Sequence, residues 1–452
     1  MKQQIISGLF AACIISSASA QSDLTQLQED AIDRLGGELT GASSFQGAVY
    51  AMSNESGRNT VVAHGRNEDG SLELIGSFAT GGRGGVFDGG EGLDPLISAY
   101  ALELTSDRRH LLAVNAGSST ITAFRINPDF GLTRTSEAFT FGVGPNSIAE
   151  SNGQIFVSNI DADGDFAGEP DQEGSVIGFL LTEGGRLIPD FGNFRNLANR
   201  PSALRISPDG RNLLVTSINA GSSALDSGSN DELVMYGLRQ GQLSADVVAA
   251  VTSTAVNNEE VRNLPSAIGF EVVRNDGRQF AVVTEAREFQ PNGAPPAFLA
   301  LQTGSVSTWE IIEGRILEPI NLDVIPENRS IFDGQRTACW LAFSANQDFF
   351  WVSNALDATI SAYSFANGEI TVTQEVTAEG SGTKATDPSI AFGETEGWID
   401  IATSENGEFV YQLFGLTGGI GIFQTNADGT LNRIGTKEGT LPSSNTQGIV
   451  AF

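Results

Sequence analysis

The chain has 452 residues and a formal net charge of −30, with 55 acidic residues against 25 Lys and Arg. Because 40% of the residues are hydrophobic and only 18% are charged, there is enough apolar material for a folded core. The negative charge excludes a nucleic-acid-backbone binder, which needs a basic surface, and disfavours docking on anionic lipid. The 53 glycines indicate many tight turns and favour an all-β fold.

The N-terminus has the features of an export signal. Residues 1–20 combine a charged start at Lys2, a short apolar stretch, and the small residues Ala18-Ser19-Ala20 at a cleavage position. This pattern predicts a secreted protein, or a periplasmic one in a bacterium; a lipoprotein signal ending at Cys13 is the alternative. No apolar run is long enough to span a bilayer, so no membrane span is predicted. After cleavage Cys339 is the only thiol, which excludes an intrachain disulfide.

Residues 21–46 are a polar leader segment with apolar residues at helix-like spacing. They predict either a short helix outside the main domain or a frayed tail. From residue 47 to residue 452 the chain repeats itself, and we treat this region as the folded domain.

The repeating unit has four short strands, and its first strand begins with a small-apolar step that often follows a proline. Six units follow residue 94, and their predicted first strands are 94–104, 144–151, 200–207, 264–272, 336–344 and 387–393. Tight hairpins are predicted at Asp209-Gly210, Asp276-Gly277 and Asn406-Gly407, since these pairs suit positive φ. Repeats of this length with four strands each are typical of a β-propeller.

A seventh unit is predicted to be split between the two ends of the chain. Residues 47–54 and 59–67 supply its second and third strands, and 445–452 supply its first. A ring closed in this way removes exposed sheet edges. The predicted fold is therefore an all-β, seven-bladed β-propeller whose terminal strands close one shared blade. A pair of β-sandwiches is the competing fold, but it explains neither the seven repeats nor the split unit.

Two stretches carry a resemblance to a known family. The Gly-rich segment 81–96 with the blade at 101–126, and the PSA…SPDGRNLLVTS pattern of 201–217, resemble the seven-bladed lactonase family. That family includes 6-phosphogluconolactonase-like and carboxymuconate-lactonizing-enzyme-like propellers. The resemblance implies catalysis by His, Arg and Glu side chains at the mouth of the central channel, with a Pro-His step opening a blade. Here the corresponding steps are Pro145-Asn146, Pro201-Ser202, Pro265-Ser266 and Pro388-Ser389, and none of them carries the His.

A candidate active site follows from where propellers place their residues. Residues that start the inner strands, and residues just after the second strands, surround one end of the channel. Among them, Arg200 and Arg336 could bind a carboxylate, and Glu285 could act as acid or base. The residues predicted to bind the rest of the substrate are Asn115, Asn146, Asn159, Arg287 and Asn354. The alternative is that these amides cap turns while the arginines pair locally.

An acidic loop is the candidate metal site. Asp161, Asp163 and Asp165 alternate in a Gly-containing loop, a pattern that suits Ca²⁺. Gly164 falls at the wrong position for an EF-hand loop, so a solvated acidic hairpin is the alternative. The two histidines, His64 on the third strand of the split blade and His110 in a hairpin turn, form no credible metal or triad set.

The sequence therefore predicts a secreted monomeric propeller with two possible functions. The first is hydrolysis or isomerisation of a small carboxylated lactone or organic acid at the channel mouth, as a lactone hydrolase or a muconate-type cycloisomerase. The second is a non-catalytic scaffold that binds an extracellular macromolecule, which the missing Pro-His step favours. Neither requires a cofactor, although a structural Ca²⁺ ion is compatible with both.

Overall fold

A computed structural model describes residues 45–86, 94–161, 174–218, 233–251, 261–291, 302–312, 315–321, 337–355, 357–374 and 396–452. Residues Phe45–Phe452 form one compact unit. The predicted signal peptide at 1–20 lies outside the described residues, as does nearly all of the leader at 21–46, and both stay predictions.

The described strands form seven four-stranded antiparallel sheets, the blades of a propeller. The chain begins with β1 (Gly47–Met52), β2 (Thr60–Arg66) and β3 (Leu72–Ala79). Blade 1 contains β4 (Leu102–Leu104), β5 (His110–Asn115), β6 (Thr120–Ile126) and β7 (Leu132–Phe139), with a 3-10 helix at Ala116–Ser118. Blade 2 contains β8 (Val143–Ser151), β9 (Gln154–Asp161), β10 (Ser175–Leu181) and β11 (Leu187–Asn196). Blade 3 contains β12 (Arg200–Ile206), β13 (Asn212–Ile218), β14 (Leu233–Arg239) and β15 (Gln242–Val251).

The remaining blades follow in chain order. Blade 4 contains β16 (Val261–Asn275), β17 (Arg278–Pro291), β18 (Gln302–Ile312) and β19 (Arg315–Asn321). Blade 5 contains β20 (Ala338–Phe343), β21 (Phe349–Asn354), β22 (Thr359–Ala366) and β23 (Glu369–Gln374). Blade 6 contains β24 (Trp398–Thr403), β25 (Phe409–Phe414), β26 (Gly419–Thr425) and β27 (Leu431–Lys437). The last strand, β28 (Ile449–Ala451), joins β1, β2 and β3 as blade 7.

Blade 7 confirms the predicted closure by both ends of the chain. Strand β28 pairs with β1 in antiparallel register, with Tyr50 opposite Val450. Ala48 and Phe452 exchange two backbone hydrogen bonds of 3.0 Å each. Since the inner strand of this blade comes from the C-terminus and the other three from residues 47–79, the ring closes through β-sheet hydrogen bonds.

The hairpins and the core follow from the repeated strand pattern. Gly210 and Gly277 have φ of 69° and 80°, as predicted for tight turns. Side chains of neighbouring blades form the core, which is rich in fully buried aromatic residues such as Trp351 and Trp398. The Trp398 ring stacks on Phe414 with centroids 5.2 Å apart. Full burial of a large apolar side chain contributes about 1.5–3 kcal/mol, so this contact between the paired strands β24 and β25 stabilises blade 6.

Three local predictions are wrong. Of the inner strand predicted at 94–104, only Leu102–Leu104 is a strand. The inner strand of blade 6 is β24 at Trp398–Thr403, whereas 387–393, the predicted inner strand, lies outside the described residues. His110 is the first residue of β5 and is only 3% exposed, so it is not a solvated turn residue. In the last two places a short local pattern was ambiguous, and the structure places each strand by its pairing with the next strand of the same blade. His64 lies on β2, the third strand of its blade, as predicted.

Candidate functional site

The predicted amides at the ends of the second strands are buried, and their Nδ2 groups donate to hydroxyls of their own blades. Asn115 Nδ2 lies 3.0 Å from Thr120 Oγ1 and 2.9 Å from Thr122 Oγ1. Asn354 makes the same two contacts with the hydroxyls five and seven residues further on, at 3.1 and 2.9 Å. These amides therefore connect the second strand of a blade to its third strand.

Asn159 and Asn146 have comparable surroundings in blade 2. Asn159 Nδ2 donates to Ser175 Oγ at 3.1 Å. Asn146 Nδ2 donates to the carbonyl of Pro201 at 2.8 Å, and Asn146 Oδ1 accepts from Ser158 Oγ at 2.7 Å. Asn146 therefore joins blade 2 to blade 3, and both amides are fully buried.

The predicted catalytic residues lie partly outside the described residues. Glu285 is fully buried on β17, and the hydroxyls of Ser305 and Ser307 donate to its carboxylate. Arg200 is the first residue of β12, in the neighbouring blade, and is 5% exposed. Arg336 lies outside the described residues; Arg287 lies on β17, but its side chain is outside the described part. The roles assigned to these residues stay predictions.

The predicted metal site is mostly outside the described residues as well. Asp161 ends β9, and Asp163 and Asp165 follow it outside the described ranges. Among the described residues, no group of three or more His, Cys, Asp or Glu side chains has the arrangement of a metal site. The Ca²⁺ prediction for this loop therefore stays open.

The centre of the ring is occupied by residues Asp94–Tyr100, which precede β4 and which we call the central segment. It forms hydrogen bonds with every other blade. Its partners are the carbonyls of Asn146, Ser202 and Phe270, and the side chains of Trp340, Asp400 and Gln447. The distances that define these contacts range from 2.6 Å for the Tyr100 hydroxyl on Phe270 O to 3.1 Å for Ala99 N on Ser202 O. The central segment thus ties blade 1 to the six others.

The backbone of the central segment is strained. Ile97 has a φ of 48° and Tyr100 a φ of 66°, in the left-handed region that favours glycine. A β-branched residue there is uncommon, and such conformations persist where the surrounding contacts hold them. The hydrogen bonds to the other blades provide that restraint.

A cavity of about 400 Å³ lies next to the central segment. Its walls come mainly from the later parts of the inner strands, including Glu103, Arg205, Glu271, Trp340 and Asp400. A smaller cavity of about 280 Å³ shares the first three of these residues and adds Glu150. The channel therefore has solvent space where the inner strands end.

Arg205 is at the centre of the charged groups in the cavity wall. Its guanidinium lies 3.4 Å from Glu103 and 3.1 Å from Glu271, and 3.1 Å from the centroid of the Tyr100 ring. Burial lowers the pKa of Arg205, but the two glutamates raise it by more, so Arg205 stays cationic. Burial raises the pKa of Glu103 to about 7, although Arg205 acts in the opposite direction, while Glu271 and Glu150 add to the rise.

Two further carboxyl groups, Asp94 and the cavity-lining Asp400, lie on either side of residues 447–448. Gln447 Nε2 donates to Asp94 Oδ1 at 2.7 Å, and the backbone N–H of Gly448 donates to Asp400 Oδ2 at 3.0 Å. Burial, with the Asp400 charge, raises the pKa of Asp94 to about 8. Burial raises the pKa of Asp400 to about 7. Both groups therefore titrate near neutral pH.

Sequence reasoning missed this charged channel, although a signal was present. Glu103, Glu150, Arg205 and Glu271 occupy comparable places near the ends of four consecutive inner strands. A charged residue repeated inside otherwise apolar inner strands marks a polar channel wall. The role of Asp94 had no such signal, because Gln447 and Asp400 are more than 300 residues away from it in sequence.

Comparisons with known proteins agree with the fold. The family model described as Lactonase, 7-bladed beta-propeller matches residues 301–442. A search of curated proteins found no match. None of the helices in the described part of the chain has the length and hydropathy of a membrane span.

Solved structures show the same architecture at low sequence identity. A candidate 6-phosphogluconolactonase of Bacteroides uniformis superposes with a TM-score of 0.57 at 13% identity, covering 90% of this chain and 99% of that one. A candidate 6-phosphogluconolactonase of Bacteroides fragilis superposes with a TM-score of 0.55 at 14% identity, covering 90% of this chain and 98% of that one. A hypothetical selenium-binding protein of Sulfolobus tokodaii superposes with a TM-score of 0.57 at 12% identity, covering 91% of this chain and 94% of that one. At these identities the similarity concerns the fold alone. The match over residues 301–442 and the seven blades together confirm the predicted fold and the predicted resemblance: the chain is a seven-bladed β-propeller that resembles the lactonase family.

Proposed function

We propose that the protein hydrolyses a small lactone in the channel cavity. The observation that carries this proposal is the place of Glu103, a carboxyl group in the cavity wall with a pKa raised to about 7. A general base is most effective when its pKa lies near the working pH. The side chain of Glu103 is 20% exposed, so it can reach water in the cavity.

In this mechanism Glu103 accepts a proton from water while the water oxygen forms a bond to the lactone carbonyl carbon. The ring C–O bond of the tetrahedral intermediate then breaks, and Glu103 returns the proton to the departing oxygen. One water is consumed, and a hydroxy acid is the product. Arg205 is a positioning residue here, because its contacts with Glu103 and Glu271 hold both carboxylates in place.

The carboxylates in the cavity wall determine which charge of substrate the cavity favours. Arg205 already contacts two carboxylates, and Glu150 and Asp400 are close by, which favours an uncharged lactone ring. A carboxylated lactone, the substrate expected from the sequence, would instead use Arg200 and Arg336 with Glu285 as acid or base. These are two distinct sites for the same class of reaction, and their substrates differ in charge.

One experiment separates the two sites. Purified protein is assayed with neutral and carboxylate-bearing lactones, using Glu103→Gln, Glu285→Gln and the exposed Glu183→Gln as a matched control. We expect Glu103→Gln to lower kcat/KM at least 100-fold, as loss of a general base does, with Glu183→Gln unchanged. The kcat/KM of the unmodified protein should rise with pH through about 7 as Glu103 ionises. Full activity in Glu103→Gln would refute the channel site, and loss in Glu285→Gln alone would support the other.

The second candidate function is a non-catalytic extracellular scaffold. The observation that favours it is that Asn115, Asn146, Asn159 and Asn354 are buried and hydrogen-bonded within the protein. Failure to turn over or isomerise any lactone in the panel would favour this function. For either function we propose an exported monomer, and mass spectrometry of the mature protein should find Gln21 at its N-terminus.

A further inference from the structure

Asp94 and Asp400 are a pair of buried carboxyl groups to which neither function assigns a catalytic role. Asp94 is 8% exposed and Asp400 is 5% exposed. They lie on either side of one dipeptide, since Gln447 donates to Asp94 and Gly448 donates to Asp400. The electrostatic influence of Asp400 on Asp94 agrees with this proximity.

Their hydrogen bonds leave part of the pair without a partner. Asp94 Oδ1 accepts from Gln447 Nε2 at 2.7 Å and from the backbone N–H of Ser98 at 3.3 Å. Asp94 Oδ2 is buried and has no hydrogen-bond partner among the described residues. Asp400 accepts from the backbone N–H groups of Gly448 and Tyr100. The donors described here are neutral amides, so they do not balance two ionised carboxylates.

Burying two ionised carboxylates without a counter-charge costs several kcal/mol of desolvation free energy per ion, so the pair must take up either protons or a cation. Asp400 lines the cavity of about 400 Å³, so an ion with bound water can reach it. The strained backbone at Ile97 and Tyr100 shows that the central segment is held in a conformation it would not adopt alone. A cation between Asp94 and Asp400 would attach this segment to blade 6.

We propose that Asp94 and Asp400 form a binding site for a hard divalent cation, Ca²⁺ being the ion of matching ligand chemistry. Ca²⁺ accepts carboxylate oxygens together with water in a flexible geometry, which a site with few protein ligands requires. Asp94 Oδ2 and the Asp400 carboxylate are the protein ligands, and water from the cavity completes the shell. This site is separate from the acidic loop at Asp161, Asp163 and Asp165.

Proton release distinguishes this site from surface carboxylates. Ligand carboxyl groups must be ionised to bind a metal. With pKa values of about 8 and about 7, Asp94 and Asp400 together hold about one proton at pH 7.5. Exposed carboxylates are already ionised at that pH and release none. Cys339, whose pKa is raised well above the ordinary value by burial and by Asp94, keeps its proton.

The test is calorimetric titration of the EDTA-stripped full-length protein with CaCl₂ at pH 7.5, in two buffers of different ionisation enthalpy. We expect one site per chain that releases about one proton, with at least 10-fold weaker binding in Asp94→Asn and in Asp400→Asn. Asp163→Asn, in the acidic loop, and Asp276→Asn, at an exposed turn, are the matched controls and should retain it. Absence of Ca²⁺ binding to the unmodified protein, binding without proton release, or loss of binding in Asp163→Asn would each overturn the proposal. Ca²⁺ binding is measured on the unmodified protein, so its absence refutes the site even if an aspartate variant does not fold.

Discussion

Arg205 is the side chain whose loss should most disturb the channel. It is 12% exposed and contacts Glu103 and Glu271, which are 20% and 27% exposed. Replacing it with Met keeps much of its apolar volume but removes the charge, leaving two carboxyl groups beside Tyr100 without their cation.

The cost can be estimated from these contacts. Breaking a buried ion pair from one side costs about 3–5 kcal/mol, because the partner charge stays buried. Water in the cavity screens the partly exposed glutamates, which lowers this, while the lost contact with the Tyr100 ring adds about 1 kcal/mol. We therefore expect Arg205→Met to lower the free energy of unfolding by about 3 kcal/mol at pH 8.

The cost should depend on pH in a defined direction. Arg205 lowers the pKa of Glu103, which burial raises to about 7, so removing Arg205 raises that pKa further. At pH 5.5 Glu103 is protonated in the folded variant, and only one uncompensated carboxylate remains. The cost of Arg205→Met should therefore fall to roughly half of its value at pH 8.

Urea denaturation at both pH values measures these differences. Glu103→Gln in the Arg205→Met background should recover part of the loss at pH 8, because it removes a buried charge. Arg108→Met is the control, since Arg108 pairs with Glu405 on the surface, where both side chains are more than 40% exposed; it should cost about 0–1 kcal/mol. An equal cost of Arg205→Met at pH 8 and pH 5.5, or a cost no larger than that of the control, would refute this electrostatic account.

Three other variants test the hydrogen bonds of the central segment, the close backbone approach at Gly84 and the raised pKa of Asp94. Gln447→Ala removes three buried side-chain hydrogen bonds to the central segment, at 2.6, 2.7 and 2.7 Å. It should lower the free energy of unfolding in urea by about 3 kcal/mol. An unchanged free energy of unfolding would show that other contacts hold the segment. Gly84→Ala should cost about 1–3 kcal/mol, because its Cβ would overlap a neighbouring backbone carbonyl; Gly57→Ala, with open space around it, should change the melting temperature little. Without Ca²⁺, stability should fall as the pH rises from 6.5 to 8, because the folded state holds a proton on Asp94 (pKa about 8) that the unfolded state has lost. Below pH 6.5 His64 makes stability rise with pH. Burial lowers its pKa to about 4, so in this range the unfolded state binds a proton that the folded state does not. In Asp94→Asn, the decrease of the free energy of unfolding with pH above pH 6.5 should be smaller by about 1 kcal/mol per pH unit. An unchanged slope would contradict a raised pKa at Asp94.

The fold was predictable because its information is local and repeated. Strand alternation, turn pairs such as Asp276-Gly277, and the match between 47–67 and 445–452 each appear within a short stretch of sequence. The inner strand of blade 6 was misplaced because DPSIAFG and GWIDIAT both fit a buried strand, and only pairing with β25 distinguishes them.

The channel site was not predictable in the same way. Arg205 meets Glu103 and Glu271 at sequence separations of 102 and 66 residues, and no local pattern fixes that three-way contact. Asn115 and Asn354 lie at the ends of β5 and β21, but the sequence could not show where their side chains point. Their hydrogen bonds to hydroxyls on the next strand became visible only in the structure.

Closing the ring and building the channel involve the same residues. Gln447 binds the central segment, Gly448 donates to Asp400, and Ile449–Ala451 pair with β1 and line the cavity. The last residues of the chain therefore complete the blade and the cavity wall in one step. Since the central segment contacts every other blade, it can reach its strained conformation only when those blades are in place. The cavity, its charged wall and the proposed cation site are thus properties of the closed ring, and an open chain lacking blade 7 should have none of them.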